Sequence, residues 1–171
     1  MNNNLLLVRD FHQQYGVLQP EYPNTKRLSD AEIVLRQSLL LQCGSDTFRA
    51  VAGGDLEKIL AGLVDLAYNT LAAIALQGED VVNVTVNWRQ DGSVLSLIKT
   101  LSDKISNCIS GETVDYSGLY ALCKHLGRFY LNADFDKAFQ IIHASLIGQQ
   151  AGHPGTETLA ATPDLSAAFY E

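Results

Sequence analysis

Basic side chains are scarce in this sequence, which has 12 lysines and arginines against 19 aspartates and glutamates. The net charge of −7 argues against a protein that binds the nucleic-acid backbone or an anionic membrane, since either needs a basic face. Cysteine is also scarce: Cys43, Cys108 and Cys123 are odd in number and show no CxxC spacing. We therefore expect free thiols in a reducing cytoplasm, rather than disulfides or a zinc site.

Long apolar runs and the common catalytic motifs are missing as well. No segment reaches the roughly 18 consecutive apolar residues of a membrane span, and the N-terminus lacks the basic start of a signal peptide. The phosphate-binding GxxxxGK[ST] loop, GxSxG, HExxH and EF-hand spacings do not occur. We expect a cytoplasmic protein, and its 171 residues, 47% of them hydrophobic, favour a single domain over residues 1–171.

The best-marked element in the sequence is a central helix predicted over residues 55–78. Asp55 follows two glycines and is a good N-cap, and Gly78 suits the left-handed position after the last turn. Apolar residues cover more than the stripe of a surface helix, so we expect this helix to be buried on most sides. Asp65 lies in its apolar middle, where a carboxylate must be paired, hydrogen-bonded or bound to a metal.

Helix signals continue along most of the chain. Ser29 and Glu32 form a capping box that starts a helix ending at Gly53-Gly54, so it should form an antiparallel hairpin with the central helix. Residues 82–88 alternate apolar and polar, which predicts a strand paired with a partner copy or, as we favour, an extended connection. Together these signals predict an all-α antiparallel helical bundle. Further helices are predicted over residues 5–15, 93–109, 117–132 and 134–148, followed by an irregular C-terminal arm over 149–171.

Polar residues on the two hairpin helices are the candidates for chemistry. Gln42 and Asp46 are four residues apart, so they should share the face of their helix that turns toward Asp65. Carboxylates on facing helices commonly bind Mg²⁺ or Mn²⁺, which then contacts substrate phosphates. An equally open interpretation is that Asp65 binds no metal and pairs with Arg36 or accepts a hydrogen bond from a buried hydroxyl such as that of Tyr68.

Several segments resemble the MazG-like all-α nucleoside triphosphate pyrophosphohydrolases, especially their phosphoribosyl-ATP pyrophosphohydrolase-like branch. Residues 36–46 (RQSLLLQCGSD) stand where that branch has R-x-x-L-L-x-E-E-x-x-E, and residues 61–68 (AGLVDLAY) where it has D-G-L-x-D-L-x-Y. Residues 135–145 (FDKAFQIIHAS) are similar to F-D-x-x-F-x-x-V-H-x-S, and residues 163–165 to the closing P-D-L. The likeness covers most of the chain except residues 81–131, which we interpret as an inserted or divergent segment.

The resemblance implies hydrolysis of a nucleoside triphosphate to the monophosphate and pyrophosphate. Mg²⁺ or Mn²⁺ would neutralise phosphate charge and activate a water molecule. By analogy Asp46 and Asp65 are the metal ligands and catalytic carboxylates, and Gln42 assists them. The residues expected to contact phosphate are Arg36, Lys58 and Arg128.

Neutral residues replace several acidic positions of the family. Gln42, Cys43 and Ala61 stand where the branch has carboxylates, and residues 146–150 replace its phosphate-contacting Asn and Lys. We therefore favour a divergent protein with weakened or lost catalysis that serves as a binding or structural protein. The alternative is an active Mg²⁺-dependent pyrophosphohydrolase with a rewired site. The expected partners are a nucleotide or another phosphorylated small molecule and, because the resemblance and the low charge fraction of 18% agree, a second copy in a homodimer or homotetramer.

Overall fold

The computed structural model of the protein describes residues 1–88, 91–149 and 161–170. These residues form α-helices and short 3₁₀ turns and contain no β-strand, so the prediction of an all-α protein is confirmed. The helices are α1 (Asn3–Gln14), α2 (Asp30–Gly53), α3 (Leu56–Gln77), α4 (Val94–Asn107), α5 (Thr113–Phe129) and α6 (Phe135–Gly148), and the 3₁₀ turns are Cys108–Ser110 and Ser166–Ala168.

The start of α2 is fixed by the predicted capping box. The Glu32 amide donates to Ser29 Oγ at 3.2 Å, and the Ser29 amide donates to Glu32 Oε2 at 2.8 Å. This second hydrogen bond is the main reason that the pKa of Glu32 lies below its usual value. Both hydrogen bonds satisfy backbone groups that a helix end would otherwise leave unpaired.

Replacing Ser29 by alanine is expected to lower the free energy of unfolding by about 1 kcal/mol, because one amide of the first turn loses its acceptor. Urea unfolding followed by circular dichroism measures the change. Ser38→Ala is the matched control: Ser38 is exposed within α2, where alanine is the better helix former. An equal loss in both variants would contradict a capping role.

The α2–α3 hairpin positions the candidate site. Gly44 neither ends nor interrupts α2, although the sequence left open whether the helix bends there. A Cβ at Gly44 would lie 2.7 Å from Ile105 Cδ1, so the glycine allows α4 to pack closely against α2. Gly54 closes α2 at φ 70°, and Asp55 caps α3 by accepting from the Lys58 amide at 3.1 Å. The predicted tight antiparallel turn is therefore present.

Helix α3 is the centre of the hydrophobic core. Most of its residues are buried, and it packs against α1, α2, α5 and α6. Its length and mean hydropathy of 1.8 would suit a membrane span, but 89% of that apolar stretch is buried inside the protein, as in the core helix of a folded domain. The expectation of a helix buried on most sides is confirmed.

The start of α5 and the segment before α4 were less clearly marked in the sequence. Helix α5 begins at Thr113 rather than at the predicted Ser117, because its N-cap, Glu112, makes no side-chain capping bond and so carries no signal in the sequence. Residues 79–88 belong to no helix and pair with no strand of the described chain, and the two alternatives for this segment, a connection or a strand paired with a partner copy, both remain predictions.

The described part of the C-terminal arm packs on its own chain. The Leu165 amide donates to Glu57 Oε2 at 3.2 Å, and Phe169 forms an isolated antiparallel bridge with Ala133. Residues 150–160 and 171 of the predicted arm lie outside the described residues.

Candidate functional site

A polar cavity of about 540 Å³ opens near the turn of the α2–α3 hairpin. Helix α2 forms one wall of the cavity and α3 forms the other. Thr162 of the C-terminal arm also lines it. Asp46 and Asp65 both line the cavity, so the hairpin places these two residues on one space, and their role there stays a prediction. The other lining residues are Arg49, Ala50, Gly53, Asp55, Lys58, Ala61 and Gly62.

Asp65 is the unusual residue of this cavity. Its Oδ1 atom is fully buried and accepts no hydrogen bond from the described residues. Burial, and secondarily the negative charge of Asp46, raise the pKa of the Asp65 carboxyl to about 7. Tyr68 Oη, one of the predicted partners, lies 3.0 Å from His143 Nδ1, and none of the described salt bridges joins Asp65 to Arg36, the other. Asp65 therefore carries an unused acceptor at the wall of a polar cavity.

The other charged residues of the cavity are paired. Asp46 forms an ion pair with Arg49 one turn later on α2. Asp55 pairs with Lys58, with 3.0 Å between Oδ2 and Nζ. Both pairs are largely exposed, so each contributes little to stability and can exchange partners with a charged ligand. Two cations, Arg49 and Lys58, thus line the same cavity as Asp65.

The donor set fits a divalent cation only in part. Among residues 1–88, 91–149 and 161–170, no group of three or more His, Cys, Asp and Glu side chains is placed to hold a metal ion. Mg²⁺ is commonly held by one or two carboxylates and completes its shell with water and substrate phosphates. Asp46 and Asp65 supply this minimum, so a cation there would depend on a phosphorylated ligand.

Three of the predicted residues do not reach the Asp65 cavity. Gln42 is exposed on α2 and is not part of the cavity wall. Arg36 is buried at 4% exposure, and its charge acts on Glu32 and on Tyr116 of α5. Arg128 lies on α5, where its guanidinium stacks 4.4 Å from the centre of the Tyr170 ring. Of the three phosphate-contacting candidates, only Lys58 lines this cavity.

The neutral replacements in the acidic motif have different surroundings. Ala61 lies one turn before Asp65 and lines the cavity, so a carboxylate at this position would face the same space. Cys43 is buried between the helices, where its sulfur lies 3.6 Å from Asn69 Nδ2. Ala61 therefore faces the cavity without supplying an oxygen ligand. Cys43 instead belongs to the packed interface between the helices.

Sequence reasoning missed Arg49, Asp55 and Thr162 as members of the site. Arg49 shares a face of α2 with Asp46, a spacing that was visible in the sequence. Asp55 was recognised only as a helix cap, and nothing in the sequence indicated that Thr162 returns to the hairpin.

Comparison of the chain with known family models, with curated proteins and with solved structures gave no match. The cavity geometry and the motif resemblance are therefore the two arguments for a function.

Proposed function

We propose that the protein is a divergent MazG-like protein that binds a nucleotide or another phosphorylated small molecule at the Asp65 cavity and has weak or no pyrophosphohydrolase activity. The buried, unpaired Oδ1 of Asp65 carries this proposal, because it faces Asp46 across a cavity that also contains Arg49 and Lys58. The cations suit phosphate oxygens, and the carboxylates suit a metal ion bound to them.

Loss of catalysis follows from the reduced number of carboxylates. A pyrophosphohydrolase must neutralise developing charge on the phosphates and activate a water molecule at the same metal site. Here Ala61 contributes no oxygen, Gln42 does not reach the cavity, and Asp46 is already paired with Arg49. The alternative, an active Mg²⁺-dependent enzyme using Asp46 and Asp65, is favoured only by the unused acceptor on Asp65.

Metal titration with and without a nucleotide tests the proposal. Mg²⁺ and Mn²⁺ are titrated calorimetrically into the protein, alone and with non-hydrolysable nucleoside triphosphate analogues, and pyrophosphate release from natural triphosphates is assayed in parallel. We expect saturable Mn²⁺ binding only with the analogue, its loss in Asp65→Asn, and little pyrophosphate release. Rapid pyrophosphate release that requires Asp65 would establish the active alternative. If neither Mn²⁺ nor the nucleotide analogue binds, the proposed site is refuted.

Restoring a carboxylate at position 61 is expected to strengthen metal binding. Ala61→Asp adds an oxygen ligand one turn before Asp65, so Mn²⁺ affinity measured with the analogue should rise about tenfold, or about 1.4 kcal/mol. Ala52→Asp is the matched control, since it adds the same charge at an exposed position of α2 outside the cavity. Equal affinities in the two variants would place the metal elsewhere. Circular dichroism confirms that both variants are folded.

A further inference from the structure

An uncovered strand-like segment precedes α4. Residues 82–88 have the sequence VNVTVNW and belong to no helix. Val84, Val86 and Trp88 are half-buried and Asn83, Thr85 and Asn87 are exposed, which is the alternation of an extended strand. We call residues 82–88 the arm. The amide of Val82 donates to Ser117 Oγ at 3.0 Å, but none of the described hydrogen bonds involves a backbone N–H or C=O of residues 83–88. With respect to the described part of the chain, the arm thus presents a row of backbone groups that a second strand can pair with.

The arm also lacks the features that normally protect such a row. Natural proteins guard exposed strand edges with charged residues, proline, bulges or a covering element, because an open edge pairs with other chains. Residues 81–88 contain no Lys, Arg, Asp, Glu, Pro or Gly. In a protein of net charge −7, an uncharged stretch adds no charge repulsion of its own when two copies meet there.

The arm sequence is nearly a palindrome about Thr85. Antiparallel pairing of two copies centred there sets Val84 opposite Val86, Asn83 opposite Asn87 and Val82 opposite Trp88 of the second copy. Residues that face each other in this register project on the same side of the two strands, so the half-buried valines meet valines and the exposed asparagines meet asparagines. A two-fold symmetric contact requires this kind of self-complementarity.

We propose that the arm is a dimerisation element that pairs antiparallel with the arm of a second copy of this chain, with the two-fold axis at Thr85. Exposed apolar side chains add to the contact: Val82 of the arm is 45% exposed and Phe129 of α5 is 61% exposed, and both line a cavity of about 600 Å³. The contact is independent of the Asp65 cavity, which contains no arm residue.

Cysteine cross-linking tests the register of the pairing. In an antiparallel pair, opposite Cβ atoms lie about 4.5–5.5 Å apart, close to the geometry of a disulfide. Thr85→Cys should therefore give a covalent dimer under mild oxidation, detected by non-reducing electrophoresis. Asn83→Cys is the matched control, because two copies of residue 83 would be offset by four residues, or about 13 Å along the strands. The native cysteines are buried and give a low background. Equal cross-linking of the two variants would overturn the proposal.

Charge variants at the exposed asparagines give a second, non-covalent test. Asn83→Lys with Asn87→Lys sets like charges opposite each other twice, whereas Asn83→Glu with Asn87→Lys sets opposite charges there. Light scattering coupled to size-exclusion chromatography should give about twice the 18.7 kDa chain mass for the parent and the Glu/Lys variant, and the chain mass for the Lys/Lys variant. A parent protein that stays monomeric at all concentrations, or a dimer unaffected by Lys/Lys, would refute pairing through the arm.

Discussion

Replacing Asp65 by asparagine is expected to stabilise the protein by up to about 4 kcal/mol at pH 8. Asparagine has nearly the shape of the protonated carboxyl but never ionises, so it avoids burying a charge that no described residue neutralises. The magnitude follows from the pKa of Asp65, which burial and the charge of Asp46 raise from 3.8 to about 7, at about 1.4 kcal/mol per pH unit. A residue that lowers stability so strongly is more easily explained by ligand binding than by packing.

The pH dependence of this effect has a definite sign. The carboxyl of Asp65 titrates at a higher pH in the folded protein than in the unfolded chain, so between about pH 4 and pH 7 the folded state holds the extra proton. Ionisation of Asp65 therefore leaves the free energy of unfolding unchanged below about pH 4, lowers it as the pH rises to 7, and adds no further loss above that pH. The difference between Asp65→Asn and the parent should grow from near zero at pH 4 to its full value at pH 8.

Urea unfolding of both proteins at several pH values measures this difference. In Asp46→Asn, the nearby negative charge is removed but the burial of Asp65 is unchanged, so the pH dependence should weaken without vanishing. Mn²⁺ with a nucleotide analogue should stabilise the parent at pH 8 and leave Asp65→Asn unchanged. A difference that is constant across the pH range would show that Asp65 titrates normally.

The sequence predicted the hairpin and the two facing aspartates for identifiable reasons. Ser29, Glu32 and Asp55 form local hydrogen bonds that depend on residue type, so the starts of α2 and α3 could be inferred directly. Asp46 lies eight residues before Gly54 and Asp65 lies eleven residues after it, so the two separations differ by less than one helical turn. A tight antiparallel turn therefore places them within one turn of each other along the hairpin.

Three candidate residues lie outside the Asp65 cavity because of surroundings that local patterns do not encode. Gln42 lies one turn farther from the hairpin turn than Asp46, beyond the cavity, and spacing alone could not show where the cavity ends. Arg36 was assigned by charge type, yet it is buried under contacts from α5, whose position depends on the whole fold. The surroundings of Arg128 could not be inferred for the same reason, because its neighbour Tyr170 comes from the C-terminal arm, which is distant in sequence.

Replacing Gly62 by alanine is expected to lower the free energy of unfolding by about 3 kcal/mol, although alanine is the better helix former. Gly62 lies where α3 crosses α2, and a Cβ there would lie 3.0 Å from Cβ and 3.1 Å from Cα of Thr47. Rotation of the Thr47 side chain moves neither atom, and its hydroxyl is held by a 2.7 Å hydrogen bond to the Cys43 carbonyl. The two helices must therefore separate.

Gly53→Ala is the matched control for this substitution, because Gly53 also lines the cavity but a Cβ there meets no atom within 4 Å. It should be neutral or stabilise by up to about 1 kcal/mol. Separation of α2 from α3 also moves Asp46 away from Asp65, so Gly62→Ala should weaken Mn²⁺ binding with the nucleotide analogue while Gly53→Ala preserves it. If urea unfolding gives Gly62→Ala the stability of the parent, the helices do not approach as closely as described, and Asp65 and Asp46 do not share one rigid cavity.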